Sequence, residues 1–270
     1  IWTYPIERYI IQIKKKSKRN TVIATDLDGT LLCSNTNISK ENLDAIKRLN
    51  EKGIKIAVLT GRTFYEITAE LRGCGYIDYF VYSNGAGIDD SKMKTVYYNP
   101  IEKSTAKQIF GILSSYETFV ELYSNKTPFV DKRKFSVEHF RYYKIDRDFI
   151  PEMYKSRKAI SNLSEIMDSD LYNIEMFDVF FRNNDERESC YNRIFHEFDS
   201  IEITSSMSNN LEIMNKGINK GTGLKKLCRA AGYNLADVIV IGDSKNDITA
   251  FKTAKKRYAV SNACDEIKAM

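Results

Sequence analysis

Two aspartates two residues apart, Asp26 and Asp28, stand in the run Asp26-Leu27-Asp28-Gly29-Thr30. If a strand ends just before Asp26, both carboxylates can aim into one cavity. One can then attack an electrophile while its neighbour handles a proton. Gly29 permits a backbone turn close around such a site. A turn that merely ends a strand would use the same residues, so the run needs company. Gly242-Asp243-Ser244-Lys245-Asn246-Asp247 supplies it with further carboxylates. Carboxylates gathered from two strand ends repel each other unless a cation sits between them, and Mg²⁺ takes oxygen ligands while keeping several waters. The same segment also suits a helix start capped by Asp243 or Ser244, and the two readings are compatible. Thr60-Gly61-Arg62 offers a hydroxyl and backbone amides to phosphoryl oxygens. Lys216-Gly217-Ile218-Asn219-Lys220-Gly221 offers two lysines, each a compact cation suited to phosphate. Spacing alone does not choose between Lys216 and Lys220.

Positioning these groups requires strands that all end on one side. Thr21–Thr25 is a short β-prone run that ends at Asp26, Ile54–Leu59 one that ends at Thr60, and Tyr79–Tyr82 one that ends at Ser83-Asn84-Gly85. Val238–Ile241, apolar throughout as a strand buried on both faces should be, ends at Gly242-Asp243. Helical spacing lies between them. Ser39 is placed to cap a helix carrying Leu43, Ile46 and Leu49, with Gly53 beyond its end. Phe64, Ile67 and Leu71 predict a second helix stopping at Gly73, and Lys220–Ala231 a third before Gly232. This alternation predicts a Rossmann-like α/β core with a parallel sheet, whose sites lie at the carboxyl ends of its strands.

Residues 101–208 read differently, with helix-like stretches at 101–113, 135–143, 159–167 and 186–198 and strand-like ones at 118–123, 174–181 and 201–204. So long a connection does not stay unstructured in a compact chain. It is expected to be an inserted α/β cap domain, with 21–100 and 209–270 forming the catalytic core. Residues 1–20 are a lead-in of no recognisable role.

The composition bounds the function. Hydrophobic residues make up 43% of the 270, a globular proportion, and no apolar run approaches the roughly 18 residues that span a bilayer. At the N-terminus apolar residues precede the basic cluster, the reverse of a secretory signal. The five cysteines (Cys33, Cys74, Cys190, Cys228, Cys264) are scattered and form no CxxC pair, as expected of reduced thiols in a cytoplasmic protein. Lys14–Arg19 and Lys255–Arg257 read as solvated faces, because no aromatic interleaving or nucleic-acid motif accompanies them. Neither nucleic acid nor membrane is expected as a partner.

Taken in order, Asp26-x-Asp28-Gly29-Thr30, Thr60-Gly61-Arg62, Lys220 before a helix, and Gly242-Asp243-Ser244-x-Asn246-Asp247 resemble the four motifs of the haloacid dehalogenase superfamily. The insert between the second and third motifs, Ser83-Asn84-Gly85-Ala86, and Leu211–Met214 ahead of Lys216-Gly217 are similar to its Cof-type, C2-capped sugar-phosphate phosphatases. The resemblance implies a Mg²⁺-dependent phosphatase acting on a small phosphorylated metabolite. Asp26 would be the nucleophile and a metal ligand. Asp28 would be the acid and base, with its backbone carbonyl on the metal. Thr60 and Lys220 would hold the phosphoryl group, and Asp243 and Asp247 would complete the metal site. Gly61, Arg62, Asn84 and Asn246 would meet the substrate. The family usually adds a strand and helix beyond Ala263, so this edge of the core is expected to be absent or truncated.

Other chemistries fit less well. A cysteine phosphatase needs Arg six residues after Cys, and those positions hold Ser39, Phe80, His196, Asn234 and Met270. Neither His139 nor His196 lies in an Arg-His-Gly setting. Dehalogenases of the superfamily lack the second aspartate that Asp28 provides. Two alternatives stay open: a phosphomutase of the same superfamily, and an idle binding module that keeps the fold.

Overall fold

The computed structural model describes residues 21–32 and 37–270, so the lead-in and Cys33 lie outside the described residues. The chain opens with β1 (Val22–Thr25), α1 (Lys40–Glu51), β2 (Lys55–Leu59), α2 (Ala69–Gly73) and β3 (Tyr79–Tyr82). Ser39 caps α1 by accepting from the Asn42 amide at 3.1 Å, and Ala45, Ile46 and Leu49 form its buried face. A hairpin of β4 (Gly87–Asp90) and β5 (Thr95–Tyr98) follows. Then come α3 (Lys103–Leu113), β6 (Thr118–Ser124), β7 (Thr127–Asp131), α4 (Val137–Tyr142), α5 (Ile150–Ser156), β8 (Lys158–Ile160), α6 (Ser164–Asp168) and β9 (Ile174–Phe181). The chain continues through α7 (Asn184–Glu197), β10 (Ile201–Thr204), β11 (Asn210–Asn215), α8 (Lys220–Ala231), β12 (Val238–Gly242), α9 (Ile248–Thr253), β13 (Lys256–Ala259) and α10 (Asp265–Lys268).

These elements divide into two compact units. The first holds the described residues through Arg62, Ile67–Tyr98 and Asn219–Met270. Its seven-stranded sheet runs β13-β12-β1-β2-β3-β4-β5, parallel from β13 to β3 and antiparallel thereafter. Every residue of β1 and β12 is buried, as continuous apolar runs require of central parallel strands. The α/β fold class and the parallel core agree with what the sequence predicts.

The second unit holds Thr63–Glu66 and Asn99–Ile218. Its sheet runs β10-β11-β9-β6-β7-β8, antiparallel except for the β7–β8 pair. One face packs Leu122, Phe177, Val179 and Phe181 with Ile109 and Leu113 of α3 and Cys190 and Ile194 of α7. The other packs Phe119, Val130 and Phe180 with Phe140 and Met153. Amid the latter a row of carboxylates crosses three strands, Glu121 opposite Asp178 and Asp178 opposite Glu212. All three are buried. Burial, then the neighbouring Glu212 and Glu121, hold the Asp178 carboxyl well above its ordinary range.

Several local expectations change. The apolar spacing of Phe64, Ile67 and Leu71 does not form one helix. Phe64–Glu66 make a 3-10 turn, and Thr68 then caps the separate helix α2. The stretch 159–167 splits into β8 and α6. Short amphipathic runs carry little periodicity, and pairing with β7 decides the first half. Leu211–Met214 lies in β11, which pairs with both β9 and β10, so the inserted sheet extends past residue 208.

Candidate active site

Asp26, Thr60, Ser83 and Asp243 follow or end four of the five parallel strands, so the pleated sheet delivers them to the same edge. The Asp26 amide continues the ladder by donating to Ile241 O at 2.9 Å, which fixes the carboxylate directly beside the end of β12. Lys220 is the first residue of α8, and Asn219 caps that helix reciprocally with Thr222. Gly221 lets α8 approach α9, since a Cβ there would overlap the Thr249 carbonyl oxygen.

The convergence produces a buried charge cluster. Lys220 Nζ lies 2.6 Å from Asp26 Oδ1 and 2.8 Å from Asp247 Oδ1, with the lysine only 1% exposed. Asp247 Oδ2 accepts the backbone amides of Asp243 and Ser244 at 3.0 and 3.1 Å. Thr30 Oγ1 donates to Asp243 Oδ1 at 2.9 Å. Asp26, Asp243 and Asp247 each offer a carboxylate oxygen within 4.8 Å of the others. Burial is the main force raising Asp26 above the usual carboxylate range. Asp247, Asp243 and Asp28 add to it, and the Lys220 ammonium opposes it. Asp243 is raised by burial and by Asp247. Burial disfavours the Lys220 ammonium, but Asp247 and Asp26 outweigh it and hold the lysine above its ordinary value.

Three carboxylates against one ammonium leave negative charge in excess, and an all-oxygen donor set of this kind suits a hard divalent cation. Gly29, at φ +77°, keeps the space open. A Cβ there would sit 2.5 Å from Asp243 Oδ2. The residues present therefore fit a Mg²⁺ ion, with Asp26 and Asp243 foremost. Asp247 is the carboxylate already engaged by two amides as well as the lysine.

Asp28 is placed differently. Its carboxylate receives a bidentate grip from Arg62, Nε to Oδ2 at 2.8 Å and Nη2 to Oδ1 at 2.7 Å. Asp28 is about a third exposed while Arg62 is buried. Forked pairing of this geometry orients a carboxylate as well as charging it. Arg62, expected to meet substrate, thus holds Asp28. Thr60 is buried, and its Oγ1 accepts the Arg62 amide at 3.1 Å, leaving the hydroxyl hydrogen to donate elsewhere.

Gly61, Asn84 and Asn246 lie side by side. A Cβ on Gly61 would touch Asn84 Oδ1 at 3.4 Å and Asn246 Nδ2 at 3.7 Å, and Asn246 Nδ2 donates to Asn84 Oδ1 at 3.5 Å. Ser83 and Asn84 both adopt left-handed backbone, φ 48° and 53°. Such conformations cost of order 1 kcal/mol or more apiece and cluster at functional sites. Lys216, the other lysine candidate, instead donates to Asp199 O at 2.6 Å. Two participants carried no signal of their own. Thr30, in the run after β1, steadies Asp243, and Asn262 donates to Gly29 O at 2.8 Å.

A mostly parallel sheet with carboxylates and a lysine gathered at its strand ends defines an α/β enzyme built to handle an anionic group. Residues 23–270 match the family of haloacid dehalogenase-like hydrolases, and the chain belongs to that family. Phosphatase YwpJ of Bacillus subtilis (strain 168) is 29% identical over 266 residues, covering 92% of each chain. The 5-amino-6-(5-phospho-D-ribitylamino)uracil phosphatase YwtE of the same organism is 28% identical, covering 91% of this chain and 89% of the relative. A solved haloacid dehalogenase-like hydrolase from B. subtilis superposes with a TM-score of 0.80 at 25% identity, over 93% of this chain and 92% of that one. The chain is an enzyme of the phosphatase class. Among the described residues no helix is long and apolar enough to cross a membrane.

Proposed function

We propose that the protein hydrolyses phosphomonoesters of small metabolites by way of a phospho-aspartate on Asp26, with Mg²⁺ as cofactor. The observation that carries this reading is the Asp26–Lys220–Asp247 cluster beside Asp243, which sets the Asp26 carboxylate among charges that a transferring phosphoryl group would meet. Asp26, Asp243 and Asp247, with the Asp28 backbone carbonyl, would hold the ion. When bound, it supplies charge neutralisation for the phosphoryl oxygens and the carboxylates.

The chain's own groups perform the rest. An Asp26 carboxylate oxygen attacks phosphorus while the bond to the ester oxygen breaks. Asp28, held by Arg62, gives a proton to that leaving oxygen. It then takes a proton from a water that attacks the phosphorus of the phospho-aspartate. Inorganic phosphate leaves, Asp26 is restored, and Asp28 is again protonated. Lys220 and the Thr60 hydroxyl compensate the phosphoryl charge, while Gly61, Asn84 and Asn246 orient it. Positioning and electrostatics account for most of the acceleration in such transfers. The ribityl phosphate named for YwtE supports sugar and polyol phosphates as the substrate class. Selection among them falls to the inserted unit, which we assign as the cap.

Hydrolysis of para-nitrophenyl phosphate with and without Mg²⁺, beside Asp26→Asn, tests the reading. Metal-dependent turnover that disappears in the variant supports it. Turnover that survives in Asp26→Asn refutes the phospho-aspartate. Isomer formation that requires a bisphosphate primer would identify a mutase instead.

A further inference from the structure

Arg62 is the last residue of the first unit before the chain enters a four-residue excursion, Thr63–Glu66, that belongs to the second. Arg62 is therefore pinned from both directions. Its amide donates to Thr60 Oγ1 at 3.1 Å, and its carbonyl accepts from the Ser83 amide at 2.8 Å. The next amide along, that of Thr63, donates to Glu66 Oε2 at 2.8 Å. Glu66 Oε1 in turn lies 2.8 Å from Arg157 Nη1. Arg157 turns the rest of its fork on Glu121, Nε to Oε2 at 3.1 Å and Nη2 to Oε2 at 2.9 Å, and on Ser156 Oγ at 2.9 Å. The Tyr65 amide also donates to Lys126 O at 3.1 Å.

This ionic triad is costly to bury. Glu66 is 1% exposed, Glu121 is fully buried, and the Arg157 side chain is 5% exposed. Hydrophobic residues of similar volume would often stabilise such a position as well or better. A buried Arg–Glu–Glu arrangement does what an apolar plug cannot: it holds one carboxylate at a defined angle against one backbone amide. That amide belongs to the peptide bond directly after Arg62. Arg62 then fixes Asp28 by its own fork.

We propose that Arg157 and Glu66 are positioning residues for the reaction, acting through the Thr63 amide and Arg62 to hold Asp28 in its proton-transfer geometry. The proposal rests on the phosphatase reading above and adds to it two residues from outside the cluster at the strand ends. Displacing a catalytic group by about 1 Å costs on the order of 100-fold in rate. A weakened proton donor matters most when the leaving group is poor, because a good leaving group departs without help.

The test compares wild type, Arg157→Met, Arg157→Lys, Glu66→Gln and Arg62→Met on two substrates, para-nitrophenyl phosphate and an alkyl phosphate such as glycerol phosphate. For Arg157→Met and Glu66→Gln, turnover of the alkyl ester is expected to fall by roughly one to two orders of magnitude, the loss that a displacement of about 1 Å brings. On the nitrophenyl ester the fall should be several times smaller, with KM little changed on either. Arg157→Lys should recover only part of the loss, since an ammonium cannot serve Glu66 and Glu121 with one fork. Adding Arg157→Met to Arg62→Met should cost nothing further. In ¹⁵N spectra, the Arg62 Nε–H signal should move in Arg157→Met and Glu66→Gln. Equal losses on both esters, or additive losses in the double variant, would overturn the proposal by showing a merely structural role. If Arg157→Met fails to fold, Glu66→Gln and Arg157→Lys carry the same comparison. Should wild type hydrolyse no phosphate ester, the phosphatase reading fails. An unmoved Arg62 Nε–H signal would then refute the strap independently.

Discussion

Replacing Lys220 by methionine isolates the electrostatics of the site. The side chain is 1% exposed and stands between Asp26 and Asp247 at 2.6 and 2.8 Å. Methionine keeps most of the volume and removes the charge, which leaves three carboxylates with no cation among them. Breaking a buried pair from one side costs about 3–5 kcal/mol, because the remaining charge is buried without compensation. For a chain of this size, roughly 2–4 °C of melting temperature correspond to each kcal/mol. In EDTA at neutral pH the variant should therefore melt roughly 6–20 °C lower. The pH dependence follows from the sign of the shift. Asp26 is held above its ordinary 3.8, so a folded-state preference for the protonated form is fully present below that pH. It is lost as pH rises through the folded value. Without Lys220 the upward shift grows, so Lys220→Met should lose stability more steeply than wild type from about pH 4 upward, and the gap should close toward pH 4. Mg²⁺ should return part of the loss. Adding Asp26→Asn to Lys220→Met should return part as well, as a negative coupling in a double-mutant cycle. Thermal melts across pH, with EDTA and with Mg²⁺, give the numbers. A loss below about 1 kcal/mol, or one equal at pH 4 and pH 8, would mean that the ammonium does not hold the carboxylates together.

Other expectations bear on the rest of the molecule. Asp178 is raised by burial and by Glu212, so its ionisation at neutral pH is a destabilising event. Asp178→Asn, which keeps the acceptor for Asn210, should raise the melting temperature at about pH 8 and leave it unchanged near pH 4. Burial pushes the Cys190 thiol up to about 12 and the Cys228 thiol to about 11. Among the four described cysteines, iodoacetamide at about pH 8 should modify Cys74 and Cys264 before these two, as peptide mapping by mass spectrometry would show. Gly221→Ala puts a methyl group into the Thr249 backbone and should cost about 1–3 kcal/mol in urea unfolding. An unchanged midpoint would mean that α8 and α9 part freely.

What sequence could disclose here depended on whether each residue's role is local. Strand ends are local: β1, β2, β3 and β12 are short apolar runs, and each stops where a polar or glycine residue must begin. Asp26, Thr60, Asn84 and Asp243 were therefore legible as one edge from the chain alone. Helix caps are local too, which is why Ser39 and Gly232 mark their helices correctly. The pairing of Arg62 with Asp28 spans 34 positions, and nothing in either residue's neighbours announces it. The choice of Lys220 over Lys216 came from resemblance, and its physical basis is burial between two carboxylates that only the fold brings near. The excursion at Thr63–Glu66 shows how tertiary contacts override spacing. Phe64, Ile67 and Leu71 have helical periodicity, yet Glu66 is drawn to the far-off Arg157 and Tyr65 to Lys126, so the helix must start afresh at Thr68. Leaving Arg157 buried without that carboxylate would cost about 3–5 kcal/mol, more than the few tenths of a kcal/mol per residue that helix propensity offers. The strap that breaks the helix thus also sets the residue that faces Asp28. For that reason a sequence pattern that failed as secondary structure points to function.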